Sequence, residues 1–135
     1  MKDISTFFMF SGDNAGRAKE AIEFYVGLLP DSKIESIEFN GPDRPYPADH
    51  VRVAAFTLKG RRFMAIDSSA PHAFDFTPSM SLFVDCDNEG ELTALHDALI
   101  VDGQALMPLA NYGFSRLFAW VNDRFGISWQ LNLPE

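Results

Sequence analysis

The stretch Ser79-Met-Ser-Leu-Phe-Val-Asp-Cys86 decides the fold, because it opens a second copy of an element order already completed in the first half of the chain. Its apolar run predicts a strand, and Asn88 with Glu91 forms the pattern of a helix-capping box. Gly103 is expected to end the helix at its C′ position. The helix itself is indicated by apolar residues at helical spacing: Leu92, Leu95 and Leu99. Three more strands are predicted: Gln104 to Leu109, Ser115 to Asn122 and Ile127 to Leu133.

The first half of the chain has the same order. Thr6 to Phe10 predicts a buried strand, and Gly12-Asp13-Asn14 is expected to cap a helix through a side-chain oxygen. Pro30 stops this helix, whose apolar face comprises Ala18, Ala21, Ile22, Tyr25, Val26 and Leu29. Three strands then follow: Ser32 to Phe39, Val51 to Leu58 and Arg62 to Asp67. The sequence therefore predicts one α+β domain over residues 1–135, built of two βαβββ modules at about 4–68 and 79–133, with a linker at about 69–78.

Composition excludes several classes of function. The net charge of −8 over 135 residues disfavours binding to nucleic acid or anionic membranes, which are themselves negative. The chain contains no apolar run near the length of about 20 residues that crosses a bilayer. It begins without the basic segment and cleavage site of a signal peptide, and its single cysteine, Cys86, allows no internal disulfide. We therefore expect a cytoplasmic protein.

Four segments resemble the PhnB-like family, whose members carry the label "3-demethylubiquinone-9 3-methyltransferase". They are Phe10-Ser-Gly-Asp-Asn-Ala, Ala21-Ile-Glu-Phe-Tyr-Val, Phe76-Thr-Pro-Ser-Met-Ser-Leu-Phe-Val-Asp-Cys86 and Asp123-Arg-Phe-Gly-Ile-Ser-Trp-Gln130. The family belongs to the vicinal-oxygen-chelate superfamily of glyoxalases, bleomycin-resistance proteins and extradiol dioxygenases. The resemblance implies a curved mixed sheet around a cavity, commonly in a homodimer, but it implies little about activity.

The resemblance also implies where a metal would be bound. Metal-dependent superfamily members use His, Gln or Glu from the first, fourth, fifth and eighth strands. The matching positions here are Thr6, Ala65 or its neighbour Asp67, Ser79 and Gln130. Hydroxyl groups are poor ligands, so at most two donors remain. The sequence therefore predicts no metal site and no cofactor.

The same positions indicate which residues line the implied cavity. Strand alternation combined with the superfamily's ligand positions predicts an inward-facing set: Phe8, Phe10, Phe63, Asp67, Ser79, Ser81, Phe83, Trp120 and Gln130. This lining is mostly aromatic with a few polar groups, as in many small-ligand sites. The alternative is that the rings only fill a closed core.

Individual polar residues leave several alternatives. Asp67 is the best catalytic candidate, because a carboxylate on an apolar face can become a general base, although the alternative of a strand-end aspartate in water is favoured over catalysis. Gln130 suits a neutral polar ligand or a water network. His72 lies beside Phe74 and Phe76 and could contact ligand or stand on the surface, and His50 and His96 have weaker claims. Cys86 is expected to be buried and inert.

Three functions remain open. The first is a metal-free protein that binds a small, partly aromatic molecule. The second is a metal-dependent isomerase, lyase or dioxygenase, and the third is a structural or regulatory dimer with a vestigial pocket. Methyl transfer has no support, because no Gly-rich strand-to-helix turn for an adenosyl cofactor is present. A homodimer is predicted, since curved sheets leave strand edges to protect and Phe74 and Phe76 could cover a partner chain.

Overall fold

The computed structural model describes all 135 residues. They form two compact units, residues 1–75 and 76–135, here called module one and module two. Module one contains, in chain order, β1 (Thr6–Phe10), α1 (Ala18–Leu28), β2 (Lys33–Phe39), β3 (Val51–Leu58) and β4 (Arg61–Asp67). Module two contains β5 (Ser81–Asp85), α2 (Glu89–Leu99), β6 (Gln104–Ala110), β7 (Leu117–Asn122) and β8 (Ser128–Leu133). The predicted βαβββ order is thus confirmed in both halves.

Each module is a four-stranded mixed sheet with the same topology. The strand order is β1-β4-β3-β2 in module one and β5-β8-β7-β6 in module two. In both sheets the first strand pairs in parallel with the last, and the other pairs are antiparallel. A parallel pair needs a long crossover, and the helix provides it. Helix α1 packs on β2, β3 and β4, whereas α2 packs on β7 and β8. Neither helix has the length and apolar character of a membrane span.

Helix α1 begins in a way that the sequence did not indicate. Residues Gly12–Asn14 form a short 3-10 turn, and Arg17 at the N-cap position makes no side-chain capping bond. The cap comes instead from the end of β4, where Asp67 Oδ1 accepts hydrogen bonds from the backbone N–H of Gly16 at 2.8 Å and of Ala18 at 3.1 Å. The predicted cap within Gly12-Asp13-Asn14 is therefore wrong, and a residue far along the chain performs that task.

Helix α2 confirms its predicted start and corrects its predicted end. Asn88 Oδ1 accepts from Glu91 N at 2.9 Å, and Glu91 Oε1 accepts from Asp87 N at 3.0 Å. At the other end Asp102, not Gly103, adopts the left-handed conformation, with φ of 55°. Gly103 is required for a different reason, because a Cβ there would lie 2.2 Å from the carbonyl oxygen of Asn122.

A buried aspartate organises the turn between β7 and β8. Asp123 Oδ1 accepts from the backbone N–H of Phe125 at 2.8 Å and of Ile127 at 3.1 Å, and its Oδ2 accepts from Trp129 Nε1 at 2.9 Å. Burial of an ionised carboxylate is costly unless hydrogen bonds compensate it. These three donors provide that compensation and hold the indole of Trp129 in place beneath α2.

Cys86 follows β5 and is buried, as the sequence predicts. Burial, together with the nearby carboxylates of Glu91, Asp85 and Asp87, raises the pKa of its thiol from 9.0 to about 11. The thiolate is the reactive form of cysteine. This environment is therefore opposite to that of a catalytic nucleophile.

The backbone N–H of Val51 also donates to Asp67, through Oδ2, at 2.8 Å. We predict that Asp67→Ala lowers the free energy of unfolding by about 3 kcal/mol, because the N–H groups of Gly16, Ala18 and Val51 lose a charged acceptor. Urea denaturation followed by circular dichroism measures the change. Asp13→Ala is the matched control, since this exposed residue in the originally expected cap should alter stability by less than about 0.5 kcal/mol. Destabilisation by the control but not by Asp67→Ala would contradict the assignment.

We predict that Cys86 reacts with iodoacetamide at pH 8 about 100-fold more slowly in the folded protein than in urea, because its thiolate fraction is lower by that factor. As the pH rises, the thiol keeps its proton to a higher pH in the folded state than in the unfolded state. Stability from this group is therefore present below pH 9 and is lost as the pH rises towards 11. Equal labelling rates in the folded and unfolded states would show that the thiol is accessible and ionised.

Candidate functional site

Each sheet has a face covered by its own helix, here called the helix face, and an opposite face. Side chains alternate between these two faces along every strand. The strand register then groups residues of neighbouring strands on one face or the other. The bonds from Asp67 to the start of α1, and the burial of Trp129 and Leu131 under α2, identify the helix face in the two modules.

In module one the structure corrects the predicted cavity lining. Phe10 lies opposite Asp67 in the register and Thr6 lies opposite Phe63, so Phe8, Phe10, Phe63 and Asp67 share one face. That face is the helix face, and the three phenylalanines are buried there. Phe8 and Phe63 pack with ring centroids 5.6 Å apart. The three phenylalanines fill the core of module one and Asp67 lies half-buried at its edge, so these rings do not line an open cavity as predicted.

The opposite face of module one presents a different set of side chains: Phe7, Met9, Ala55, Met64 and Ile66. Phe7 is 52% exposed, which is high for a large apolar residue on a strand. Strand alternation explains why the predicted lining of module one was wrong. Period-two alternation separates two faces but does not state which one the helix covers, and both faces of β1 are aromatic.

In module two the predicted residues lie on the face opposite α2. Phe83, Gln130 and Trp120 are neighbours across β5, β8 and β7 in one row of the register. Gln130 Nε2 donates to Ser81 Oγ at 2.7 Å, and Trp120 Nε1 donates to Ser128 Oγ at 2.7 Å. Phe83 is 56% exposed. This surface, Ser81, Phe83, Trp120, Ser128 and Gln130, is here called the Gln130 row.

Ser79 lies outside that row. Strand β5 begins at Ser81, and Ser79 stands in the preceding turn, where its hydroxyl is 2.6 Å from Thr77 Oγ1. Module two also contains an aromatic cluster that was not predicted from the sequence, at the start of β7. Tyr112, Phe114 and Phe118 pack together, with the rings of Phe114 and Phe118 4.9 Å apart. The sequence did contain a signal for this cluster, because Phe118 lies two residues before Trp120 and therefore on the same face of the strand.

The residues that the superfamily would use for a metal do not fit one here. No group of three or more His, Cys, Asp or Glu side chains is close enough together to hold an ion. Asp67, the strongest oxygen donor of the predicted set, uses Oδ1 for Gly16 and Ala18, and Oδ2 accepts from Val51 N at 2.8 Å. The histidines are placed elsewhere: His72 Nε2 is 2.9 Å from Ser68 Oγ, and His96 Nδ1 is 3.0 Å from Asp97 Oδ1.

Comparison with known proteins agrees with this architecture. None of the curated proteins is significantly similar in sequence. Among solved structures, the PhnB protein from Bacillus cereus is 45% identical over 98% of this chain and 99% of its own, with a TM-score of 0.91. A protein from Pseudomonas aeruginosa is 24% identical over 99% of this chain and 98% of its own, with a TM-score of 0.74.

A glyoxylase/bleomycin resistance protein/dioxygenase domain from Frankia is 16% identical and covers 100% of this chain and 99% of its own, with a TM-score of 0.58. At that identity the likeness concerns the fold alone, which is glyoxalase-like. The sequence profile of the family described as 3-demethylubiquinone-9 3-methyltransferase matches residues 2–132. The chain therefore belongs to the PhnB-like 3-demethylubiquinone-9 3-methyltransferase family.

Proposed function

We propose that this protein binds a small, partly aromatic molecule on the Gln130 row of module two, without a metal ion. The observation that carries the proposal is the exposure of Phe83 in the same row as Trp120 and Gln130. An exposed ring beside a partly exposed indole offers a surface on which a planar molecule can stack. The amide between them supplies a directional polar contact.

The chemistry of the row suits a neutral ligand. Gln130 uses its amide nitrogen for Ser81, so its carbonyl oxygen remains able to accept a hydrogen bond from a ligand hydroxyl or N–H. Neither Lys nor Arg belongs to the row. Binding sites for small molecules commonly combine apolar walls with a few placed polar groups. The row has this composition.

The enzyme alternative has less support from the geometry. Its best base, Asp67, lies on the helix face of module one and accepts hydrogen bonds from three backbone N–H groups. A general base must instead reach the proton that it removes. The carboxylate of Asp67 acts as a structural acceptor, and no other side chain in the predicted lining offers a comparable base.

Methyl transfer, which the family description names, also lacks a suitable site. An adenosyl cofactor is commonly held at a Gly-rich turn between a strand and a helix. The loop after β1 contains Gly12 and Gly16, but the N–H groups at the start of α1 are bound to Asp67. The ring of His50 covers Gly16, where a Cβ would lie 2.6 Å from Nε2. The N–H groups that such a turn would offer to the cofactor are therefore already occupied.

We further propose that the protein forms a homodimer. Strands β2 and β6 are sheet edges with unpaired backbone groups, and proteins generally protect such edges. Phe74 is 65% exposed and provides apolar surface that a second copy of the chain could cover. A dimer is compatible with the binding of a small molecule and with the third alternative, a regulatory role.

The binding proposal predicts that 2-naphthol shifts the indole N–H resonance of Trp120 in nitrogen-15 correlation spectra and leaves that of Trp129 unchanged. Trp129 is buried and its Nε1 is bound to Asp123, so it serves as an internal control. Gln130→Ala should weaken binding about 5-fold through the loss of one hydrogen bond.

Gln104→Ala is the matched control for that variant, because Gln104 is the other glutamine of the chain and stands on the edge strand β6. It should change the dissociation constant less than about 2-fold. No movement of the Trp120 resonance, or equal weakening by both variants, would refute the proposed site.

The dimer proposal predicts twice the chain mass in sedimentation equilibrium at micromolar concentration. Phe74→Ser should shift the equilibrium towards monomer, because it removes exposed apolar area from the contact. Phe114→Ser makes the same substitution at an exposed ring in the aromatic cluster of module two, and it serves as the control. A monomer mass for the unaltered protein would contradict the dimer without affecting the ligand proposal.

A further inference from the structure

Module one has a polar cavity that takes no part in the proposed binding on the Gln130 row. It lies where the loop between β2 and β3 meets the end of β4, and its volume is about 220 Å³. This space is large enough for a compact polar molecule. Its principal polar lining residues are Asn40, Arg44, Tyr46, His50, Arg52 and Ser68.

Two guanidinium groups dominate the charge of this cavity. Arg44 stacks over the ring of Tyr46 at 5.1 Å from the centroid and has no carboxylate partner. Arg52 pairs with Glu38 at 2.7 Å, but both side chains are about half exposed, and such a pair contributes little to stability. Arg52 can therefore share its donors with an incoming anion.

His50 forms part of the cavity wall. Its Nδ1 is buried and makes no hydrogen bond, although buried polar atoms nearly always have a partner. The opposite side of the ring packs against Gly16, where a Cβ would lie 2.6 Å from Nε2. The imidazole is thus held in one place at the cavity wall, with one nitrogen unsatisfied.

The loop that carries Arg44 is already ordered. Asn40 N donates to His50 O at 3.0 Å, Gly41 N donates to Ala48 O at 3.0 Å, and Asn40 Nδ2 donates to Pro47 O at 3.0 Å. Three prolines restrict the same segment: Pro42, Pro45 and Pro47. A site built on an ordered loop loses less conformational entropy when a ligand binds.

Asp67 is the one acidic residue of the lining, and its carboxylate accepts hydrogen bonds from backbone N–H groups. Three backbone N–H groups point at its two oxygens, from Gly16, Ala18 and Val51. Such donors compensate much of a carboxylate's charge. The cavity therefore presents two cationic side chains, a histidine and hydroxyl or amide groups to any bound molecule.

We propose that this cavity is a binding site for a small oxyanion, a carboxylate or phosphate group on a compact molecule. Arg44 and Arg52 would contact the anionic oxygens, because a guanidinium group matches carboxylate and phosphate in planar geometry. Asn40, Tyr46 and Ser68 would contact neighbouring hydroxyl groups. The cavity consists of residues of module one and the Gln130 row of residues of module two, and neither proposal depends on the other.

Titration of the nitrogen-15 labelled protein with inorganic phosphate, and separately with acetate, tests the site at constant ionic strength set by chloride. We expect saturable amide shifts in residues 44–52 and 66–70 at millimolar concentrations of at least one anion, and the stronger of the two identifies the chemistry. Arg44→Gln and Arg52→Gln should each weaken binding about 10-fold.

Arg61→Gln is the matched control, because it removes the same charge from an exposed position of module one outside the cavity. It should change the affinity less than about 2-fold, as expected for a distant, screened charge. Absence of saturable shifts with both anions, or equal weakening by Arg61→Gln and Arg44→Gln, would overturn the proposal.

Discussion

In each module one aspartate carboxylate collects three N–H donors and fixes the geometry of a connection between elements. In module one Asp67 binds the N–H groups of Gly16, Ala18 and Val51, and so joins the end of β4 to the start of α1 and the start of β3. In module two Asp123 binds Phe125, Ile127 and the indole of Trp129 within the turn from β7 to β8. A charged acceptor strengthens each bond, and leaving the donors unpaired would be expensive. The two carboxylates thus fix local geometry that the apolar core alone would leave undefined.

The position of Asp67 shows which face of the module one sheet is covered by α1. Because its side chain reaches the start of α1, Phe63 and Ala65, which share its strand parity in β4, and their neighbours in β1 lie on the face that the helix covers. Phe8, Phe10 and Phe63 consequently belong to the core, and the side chains left for interactions are Phe7, Met9, Met64 and Ile66. The same bonds explain why an acidic residue at the end of a strand, which resembles a general base in the sequence, serves here to cap a helix. A carboxylate whose oxygens are occupied by backbone donors has little capacity for proton transfer.

The element order could be predicted from the sequence because periodicity is a local property. The strand β1 was predicted with both ends correct, and the capping box of Asn88 and Glu91 was identified from spacing alone. The helix face of module one could not be predicted, since Phe7 and Phe8 are chemically alike and alternation distinguishes two faces without ordering them. In module two the polar residues Ser81 and Gln130 differ enough from Leu82 and Leu131 to indicate which face avoids the helix. The cap by Asp67 and the cavity beside His50 depend on contacts between residues far apart in the chain, for which a single sequence holds no local signal.

The two modules share one topology but present different chemistry on the faces opposite their helices. Module one presents methionine, isoleucine and an exposed phenylalanine, whereas module two presents an amide between aromatic rings. The burial that stabilises each sheet is supplied by the helix face, so the opposite face is under fewer packing constraints and can differ between copies. Family membership, which reflects the whole sequence, therefore establishes the scaffold without establishing a reaction. The functional differences between members of such a family are expected in the opposite faces and in loops such as that between β2 and β3, where a few side chains can change without cost to the core.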